Sequence, residues 1–441
     1  MDTDAARRAL LFVAFLVSLS LDSLGNDVRE FRGRTMGTTY MVKVAGAEEL
    51  SDEQLRIQID LELRRVNDEM STYLKASEIT KFNESSSTEW FSVSADFARV
   101  VEYAQQVAEK TGGAFDVTVG PLVNAWSFGT TERTQTVPTT EEIDAIREIV
   151  GYQKLSVRLD PPALRKSVPE LRIDLSSIAK GHGVDRVVRR LGELGAENVF
   201  VEVGGEVRTA GSKPDGVWKV GIQQPDANST VIMVAHEMVR DAAAGNAMAT
   251  SGDYRNAFIA NGQKYSHTID PRTGSPVTHS LASVTVVAPT CMEADAWATA
   301  LNVIGTDEAL LVAESEGLHT LLITRVDDAM QAHATGTLTR YLQEEDSGTS
   351  VAVSSVASPS SEAETPGLLA KWLPLAGLSF AAFVILLVAM GIGVLLRNKP
   401  ISGSCGGIAS KTAEDGSTSC SLCSNPSNAC KELRDQIMQK S

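Results

Sequence analysis

The sequence has no excess of basic residues. Its 40 lysine and arginine residues are outnumbered by 56 aspartate and glutamate residues, and the formal net charge is −16. A nucleic-acid-binding surface needs a basic patch that displaces counterions from the phosphates. The charge balance therefore argues against nucleic acid as a partner, although an acidic surface alone identifies no function.

Long hydrophobic runs are also scarce. The run over residues 10–21 follows Arg7 and Arg8 and is short for a bilayer, so we expect a signal peptide or an uncleaved signal anchor over residues 1–25. Residues 373–396 carry no charge and are long enough to cross a bilayer, which predicts a transmembrane helix over residues 372–396. Because Arg397 and Lys399 follow this run, the positive-inside rule predicts an exported middle region and a cytoplasmic tail over residues 397–441.

Cysteine is almost absent from the predicted exported part. Cys291 stands alone there, so no intramolecular disulfide can form in that region. The tail contains the other four, which are Cys405, Cys420, Cys423 and Cys430. In a reducing compartment such a cluster favours metal or redox chemistry over disulfides. The spacing alone leaves both a metal site and unassigned thiols open.

The region over residues 30–343 mixes helical and strand patterns without an internal repeat. Helices are predicted near residues 53–72, from Ser94 to Gly112, and near residues 140–150, where Thr139 and Glu142 form a capping-box pattern. Strands are predicted over residues 198–203, 217–222, 229–235 and 282–288. Since these elements do not alternate strictly, we expect an α+β domain built on a mixed sheet. Residues 344–371, which are rich in Ser, Glu and Pro, are predicted to form a flexible linker.

One short loop concentrates polar groups. Residues 265–277 read YSHTIDPRTGSPV and place His267 three positions before Asp270, followed by a turn signature that ends at Gly274. Such a turn can direct several backbone N–H groups at one point and bind an anion such as phosphate. It can equally be a hairpin turn whose polar groups cap one another.

A second pattern suits a metal ion. In TCMEADAWATAL, residues 290–301, Asp295 and Thr299 are spaced i and i+4, so both oxygens project from one helix face. Together with a backbone carbonyl, they suit a hard cation such as Mg²⁺. The alternative is an ordinary solvated helix face.

The remaining motifs are weaker individually. Residues 174–185, DLSSIAKGHGVD, combine Ser and Gly at a predicted strand end, where free backbone groups can bind ligands. Gly204 and Gly205 in VEVGGEVRTAG permit close backbone approach or form a simple turn. Met36 and Tyr73 lie near the ends of a strand and a helix, where either side chain can face a flat ring or fill the core.

In their order along the chain, these stretches resemble the FAD:protein FMN transferase family. The resemblance covers RTMGTTY, MSTY, FDVTVGPLVNAWSFG, DLSSIAKGHGVD, VEVGGEV, ATSGDYRNAF, YSHTIDPRTGSPV and VAPTCMEADAWATAL. It implies an enzyme that cleaves FAD, places the FMN phosphate on a threonine or serine of a target protein, and releases AMP. It fits the topology expected from the two hydrophobic runs, which predicts a bacterial inner-membrane protein with its transferase domain in the periplasm.

The resemblance further implies roles for individual residues. His267 matches the family's base, and Ser177 through its carbonyl, Asp295 and Thr299 would hold Mg²⁺. The loop with Asp270 and Thr273 is similar to the one that wraps the FAD pyrophosphate. The other expected flavin-nucleotide residues are Met36, Tyr73, Ala114, Phe115, Asp116, Asp174, Lys180 and Ile269. The sequence departs from the family pattern at His182, where an aromatic residue is common, and at Ala298, where some members have a second carboxylate.

The C-terminal tail resembles a different family. A single hydrophobic run followed by KPISGSCGG and a CxLC pattern is similar to the maturation factor of the sodium-pumping NADH:quinone oxidoreductase. The resemblance implies iron at Cys405, Cys420, Cys423 and Cys430. The fusion of the two resemblances in one chain leads to the hypothesis that subunits of that pump are the acceptors of the flavin. Two other functions stay open at this stage, a Mg²⁺-dependent FAD pyrophosphatase and a flavin-binding assembly factor without turnover. The aromatic Tyr73 resembles the transferases.

Overall fold

The computed structural model describes residues 28–129, 136–226, 231–238, 245–252, 257–260, 262–327 and 329–343, together with the backbone of residues 410–412 and 418–420. The chain divides into two compact units, Met1–Ser354 and Ser355–Ser441. The predicted signal segment, linker and transmembrane helix lie outside the described residues, as do Cys405, Cys423 and Cys430. Of the helices within the described ranges, none is long and apolar enough to cross a membrane.

The secondary structure of the first unit mixes helices and strands throughout. Its helices are α1 (Asp52–Met70), α2 (Glu78–Glu84), α3 (Ala95–Lys110), α4 (Gly120–Ala125), α5 (Thr140–Arg147), α6 (Ala179–Glu193), α7 (Cys291–Ile304), α8 (Thr306–Ser315) and α9 (Arg340–Gln343). Its longer strands are β1 (Val28–Thr35), β2 (Thr38–Ala45), β4 (Leu155–Leu159), β5 (Pro162–Lys166), β6 (Asn198–Val203), β7 (Glu206–Ala210), β8 (Lys219–Gln223), β9 (Ile232–Glu237), β10 (Ala247–Gly252), β15 (Leu281–Ala288), β16 (His319–Val326) and β17 (Ala329–Ala334). The shorter strands are β3 (Phe91–Ser92), β11 (Ala257–Ala260), β12 (Gln263–Ser266), β13 (Ile269–Asp270) and β14 (Ser275–Pro276). In the second unit, β18 (Ser410–Thr412) pairs with β19 (Thr418–Cys420).

An eight-stranded sheet in the order β1-β2-β6-β7-β10-β15-β16-β17 forms the centre of the first unit. Every pairing between its strands is antiparallel. The predicted α+β class is confirmed, but the prediction of a mixed sheet is wrong. Sequential neighbours such as β1 and β2, or β6 and β7, are joined by short turns, which impose antiparallel pairing.

Several of the helices begin where a side-chain cap satisfies a free N–H group. Ser51 and Gln54 form a reciprocal capping box at the start of α1. The capping box predicted from Thr139 and Glu142 is confirmed at the start of α5. Ser94 caps α3 by accepting a hydrogen bond from the N–H of Phe97. These local signals explain why the helix predictions closely match the structure.

Helices α1, α6 and α7 cover one face of the central sheet. Val42 and Val44 of β2 pack there with Val184 and Val187 of α6. Strand β15 is buried at every position, because helices cover one of its faces and the core that includes Val287 covers the other. Each fully buried aliphatic side chain of this kind contributes about 1.5–3 kcal/mol. This packing holds the ends of α6 and α7 against the strands that border the cavity described below.

Strands β8 and β9 form a separate antiparallel pair. They correspond to the strands predicted over residues 217–222 and 229–235, with ends shifted by one to three residues. The predicted strands over residues 198–203 and 282–288 correspond to β6 and β15 in the central sheet.

Candidate active site

A cavity of about 460 Å³ lies where α6, α7, the β6–β7 turn and the loop around His267 meet. It gathers most of the residues singled out from the sequence. Those that line it are Tyr73, Ala114, Phe115, Asp116, Asp174, Ser177, Lys180, His267, Ile269, Asp295 and Thr299. Met36, Asp270 and Thr273 are not among the lining residues.

The predicted flavin-facing residues Ala114, Phe115 and Asp116 occupy the loop that ends α3. Gly112 and Gly113 both have positive φ, which lets the chain reverse directly after the helix. Asp116 is buried and accepts hydrogen bonds from both the N–H and the hydroxyl of Thr118, each at 2.7 Å. Burial raises the pKa of Asp116, although the hydrogen bonds from Thr118 oppose the rise. The aspartate thus fixes the turn that forms this wall of the cavity.

Asp295 and Thr299 project from α7 into the cavity. Asp295 is 3% exposed, so the alternative of a solvated helix face is wrong. Asp295 Oδ2 accepts a hydrogen bond from the N–H of Gly181 at 3.0 Å. The Thr299 hydroxyl lies 3.0 Å from the hydroxyl of Ser251.

The donor set around Asp295 fits a hard cation. A carboxylate and hydroxyl groups, with Ser177 on the same cavity wall, provide the oxygen ligands that Mg²⁺ prefers. Asp174 shapes that wall, because its Oδ1 accepts the N–H of Ser176 at 2.8 Å and its own N–H donates to the carbonyl of Val117. The sequence alone could not show that these groups share one cavity.

Lys180 connects Asp295 to a residue that the sequence did not single out. Its Nζ lies 3.5 Å from Asp295 Oδ1 and 3.2 Å from Glu206 Oε1. Burial disfavours the charged form of Lys180, but the two carboxylates more than offset this and raise its pKa. Burial also raises the pKa of Glu206, to about 7, although the Lys180 ammonium opposes the rise. The only sequence signal for Glu206 was its place beside the Gly204-Gly205 pair.

The polar loop around His267 is largely held together by Asp270. The Asp270 carboxylate accepts hydrogen bonds from the backbone N–H and side chain of Arg272, at 2.9 Å and 3.0 Å for its Oδ1. Its carbonyl accepts the N–H groups of Thr273 and Gly274. These donors are therefore used within the loop, as in the alternative of a self-capped turn, and the predicted contact of Asp270 and Thr273 with the FAD pyrophosphate remains a prediction. Asp270 and Thr273 shape the turn instead of lining the cavity.

The same loop presents His267 to the cavity. His267 is half-buried and packs edge-on against Phe128, with ring centroids 6.3 Å apart. Gly274 has φ 75° at the turn, and its carbonyl accepts a hydrogen bond from the indole of the buried Trp126 at 2.9 Å. The loop is thus fastened to Trp126, the residue that follows α4, and it also meets α7, where the Thr268 hydroxyl donates to Asn302 Oδ1 at 3.4 Å.

Met36 lies in the β1–β2 turn with φ 47°. Its methyl group packs against α6, close enough that a Cβ at Gly183 would lie 2.6 Å from it. This contact makes Met36 part of the packing between the turn and the helix. The predicted role of Met36 in flavin binding remains a prediction.

A second group of charged side chains lies beneath α6. Ligand atoms of Glu69, Asp96 and His182 lie within 4.8 Å of one another. Arg186 pairs with Glu69 at 3.2 Å and with Asp96 at 2.8 Å, so its guanidinium already supplies the positive charge. Burial lowers the pKa of His182 to about 4, which keeps the imidazole neutral near pH 7. His182, where the sequence departs from the family pattern, therefore lies beside an ion-pair network that stabilises α6.

Family comparisons agree with the two parts expected from the sequence. A family model described as the ApbE family matches residues 36–322. A second family model, described as (Na+)-NQR maturation NqrM, matches residues 394–441.

Individual relatives match the first unit closely. An FAD:protein FMN transferase from Vibrio cholerae is 43% identical over 312 residues, covering 70% of this chain and 91% of the relative. Another from Haemophilus influenzae is 41% identical and covers 72% of this chain and 93% of the relative. The solved flavin transferase ApbE from Vibrio cholerae has a TM-score of 0.63 at 40% identity, covering 71% of this chain and 99% of that structure. The apo flavinyl transferase ApbE from Pseudomonas stutzeri has a TM-score of 0.65 at 33% identity, with 72% and 98% covered.

Proposed function

The chain belongs to the ApbE family and is a flavin transferase, and from this premise we propose the details of its reaction. It transfers FMN from FAD to a threonine or serine hydroxyl of a target protein in a Mg²⁺-dependent reaction and releases AMP. The observation that carries this proposal is the single cavity that contains His267, Lys180, Asp295 and Thr299.

The proposed chemistry is a phosphoryl transfer. The acceptor oxygen forms a bond to the FMN phosphorus, while the bond from that phosphorus to the bridging oxygen breaks and AMP leaves with this oxygen. His267 takes the proton of the acceptor hydroxyl, a function suited to an imidazole that titrates near neutral pH. Mg²⁺ held by Asp295, Thr299 and the Ser177 carbonyl would offset the negative charge that develops on the diphosphate.

The other cavity residues bind and orient FAD. Lys180 provides a cationic contact for the diphosphate, and the buried wall of Ala114 and Phe115 packs against the flavin nucleotide. Tyr73 is 75% exposed at the rim, where its ring can cover the flavin once FAD is bound. With FAD enclosed in this way, less water would reach the reacting phosphate, which favours transfer to the acceptor hydroxyl over hydrolysis.

The acceptor proposal rests on the second family match. A chain that joins a flavin transferase to an NqrM-type segment suits a target that needs both covalent FMN and an iron site. We therefore propose that the acceptors are subunits of the sodium-pumping NADH:quinone oxidoreductase. Cys405, Cys420, Cys423 and Cys430 would supply thiolates for iron delivery. The transferase unit would act in the periplasm, with a membrane span over residues 372–396 and the tail in the cytoplasm.

The reaction is tested by incubating the full-length chain with FAD, Mg²⁺ and a purified pump subunit. AMP together with protein-bound flavin would support transfer, and both should fall by about 10²–10⁴-fold in His267→Ala. AMP with only free FMN would instead indicate a pyrophosphatase. The acceptor proposal is tested separately in cells that lack this chain and any paralogue, where normal flavin and iron content in the pump would contradict it.

A further inference from the structure

Glu206 is a buried carboxylate at the start of β7 that lines the cavity beside Lys180. Its side chain is 6% exposed, and its Oε1 pairs with Lys180 Nζ at 3.2 Å. Its Oε2 is buried and has no hydrogen-bond partner within the described part of the chain. A buried polar atom without a partner is costly, so the second oxygen suggests a contact that forms when ligands bind.

The Lys180 ammonium is shared between two acids. It lies 3.2 Å from Glu206 Oε1, 3.5 Å from Asp295 Oδ1 and 3.4 Å from the Ser176 carbonyl. A divalent cation at Asp295 must take a carboxylate that Lys180 already contacts. The cation would also lie a few ångströms from the positive charge of the Lys180 ammonium. This repulsion is unfavourable unless a carboxylate lies between the two charges or beside them.

We propose that Glu206 holds the Lys180 ammonium when a divalent cation takes Asp295. This inference rests on the proposed function for the cation itself. Lysine carries three N–H donors, so the one released from Asp295 can be accepted by the free Oε2 of Glu206. Glu206 is therefore a positioning residue that acts through Lys180, and it lets the cation and the ammonium share one cavity.

Cation affinity measured without FAD tests this directly. Mn²⁺ is titrated into the full-length chain, and the site of interest is the binding component that disappears in Asp295→Asn. Glu206→Gln keeps the size of the side chain and removes its charge, so it should weaken this component by at least about tenfold. Lys180→Met removes the competing ammonium and should strengthen Mn²⁺ binding.

The double variant separates positioning from charge alone. If Glu206 acts by drawing Lys180 away from Asp295, then Glu206→Gln should weaken Mn²⁺ binding several-fold less in the Lys180→Met background. Equal weakening in both backgrounds would overturn the proposal, because Glu206 would then act as a ligand or by its charge alone. Weaker Mn²⁺ binding by Lys180→Met would overturn it as well.

A matched control removes the same charge elsewhere. Glu62 is a buried carboxylate that pairs with Arg186 at 2.9 Å and does not line the cavity. Glu62→Gln should leave the Mn²⁺ component unchanged, whereas an equal loss there would show a general effect of destabilisation and contradict the proposal. AMP release by the wild-type chain tests the proposed function independently. If AMP release is normal but Glu206→Gln weakens Mn²⁺ binding equally with and without Lys180, only the role of Glu206 is refuted.

Discussion

Replacing Gly181 by alanine should damage the proposed cation site through packing alone. Helices α6 and α7 approach closely at this glycine, where a Cβ would lie 2.3 Å from the carbonyl oxygen of Cys291 and 2.9 Å from Cβ of Asp295. Ordinary contacts need about 3.5 Å, so the backbone at Cys291 must move by roughly 1 Å. Overpacking of this kind destabilises by about 1–3 kcal/mol, partly offset by about 1 kcal/mol from the better helix propensity of alanine.

The displacement should lower the rate of AMP release by more than the loss in free energy of unfolding accounts for. Gly181 donates its N–H to Asp295 Oδ2 at 3.0 Å, so the displacement also moves the carboxylate that we propose as a Mg²⁺ ligand. A misplacement of about 1 Å can lower a rate by about 10²-fold. Urea unfolding of the full-length chain gives the stability change, and AMP release at saturating Mg²⁺ gives the rate.

Two glycines in the same helix provide controls. A Cβ at Gly192 meets nothing within 4 Å, so Gly192→Ala should be neutral or stabilise by up to about 1 kcal/mol with unchanged activity. A Cβ at Gly183 would lie too close only to the flexible end of Met36, at 2.6 Å, and at an ordinary 3.8 Å from Leu63, so Gly183→Ala should cost little. If Gly181→Ala matched Gly192→Ala in both stability and rate, the packing argument would be refuted.

Three further predictions concern single side chains. Burial and the nearby Arg340 lower the pKa of His236 from its ordinary 6.5 to about 4, with Glu237 opposing. The folded state therefore favours the neutral imidazole, so the contribution of His236 to the free energy of unfolding should be complete above pH 6.5 and decrease toward pH 4. His236→Gln should reduce this decrease, as measured by urea unfolding at several pH values. Trp126→Phe removes the indole hydrogen bond to the Gly274 carbonyl and should cost about 1 kcal/mol while raising KM for FAD more than it lowers kcat. Asp295→Asn should leave AMP release insensitive to added Mg²⁺, and a normal Mg²⁺ titration curve would contradict its role as a ligand.

The local features of the fold were predictable because their signals lie within a few residues. The capping box of Thr139 and Glu142 and the spacing of Asp295 and Thr299 are examples, and both depend only on helix geometry. The antiparallel arrangement of the central sheet was not predicted, because strand order depends on contacts between distant segments.

The residues of the site also divide into those predictable from local motifs and those that depend on contacts between distant segments. The motifs named most of the lining residues, but the pairing of Glu206 with Lys180 arises only when β7 is brought beside α6. Asp270 uses its carboxylate and carbonyl to close its own turn, and its expected place at the FAD pyrophosphate remains a prediction. The sequence of that loop is compatible with both arrangements, and its packing against Trp126 favours the compact turn.

The central claim is that this chain attaches FMN to a hydroxyl of another protein with His267 as the base. Intact mass spectrometry tests it most directly, using a sodium-pump subunit incubated with the full-length chain, FAD and Mg²⁺. We predict a mass gain equal to one FMN phosphoester, formed about 10²–10⁴-fold more slowly when His267→Ala replaces the wild-type chain and absent when the acceptor threonine is changed to alanine. An equally fast mass gain with His267→Ala would contradict the assignment of the base, and AMP release without any mass gain would contradict transfer to that subunit.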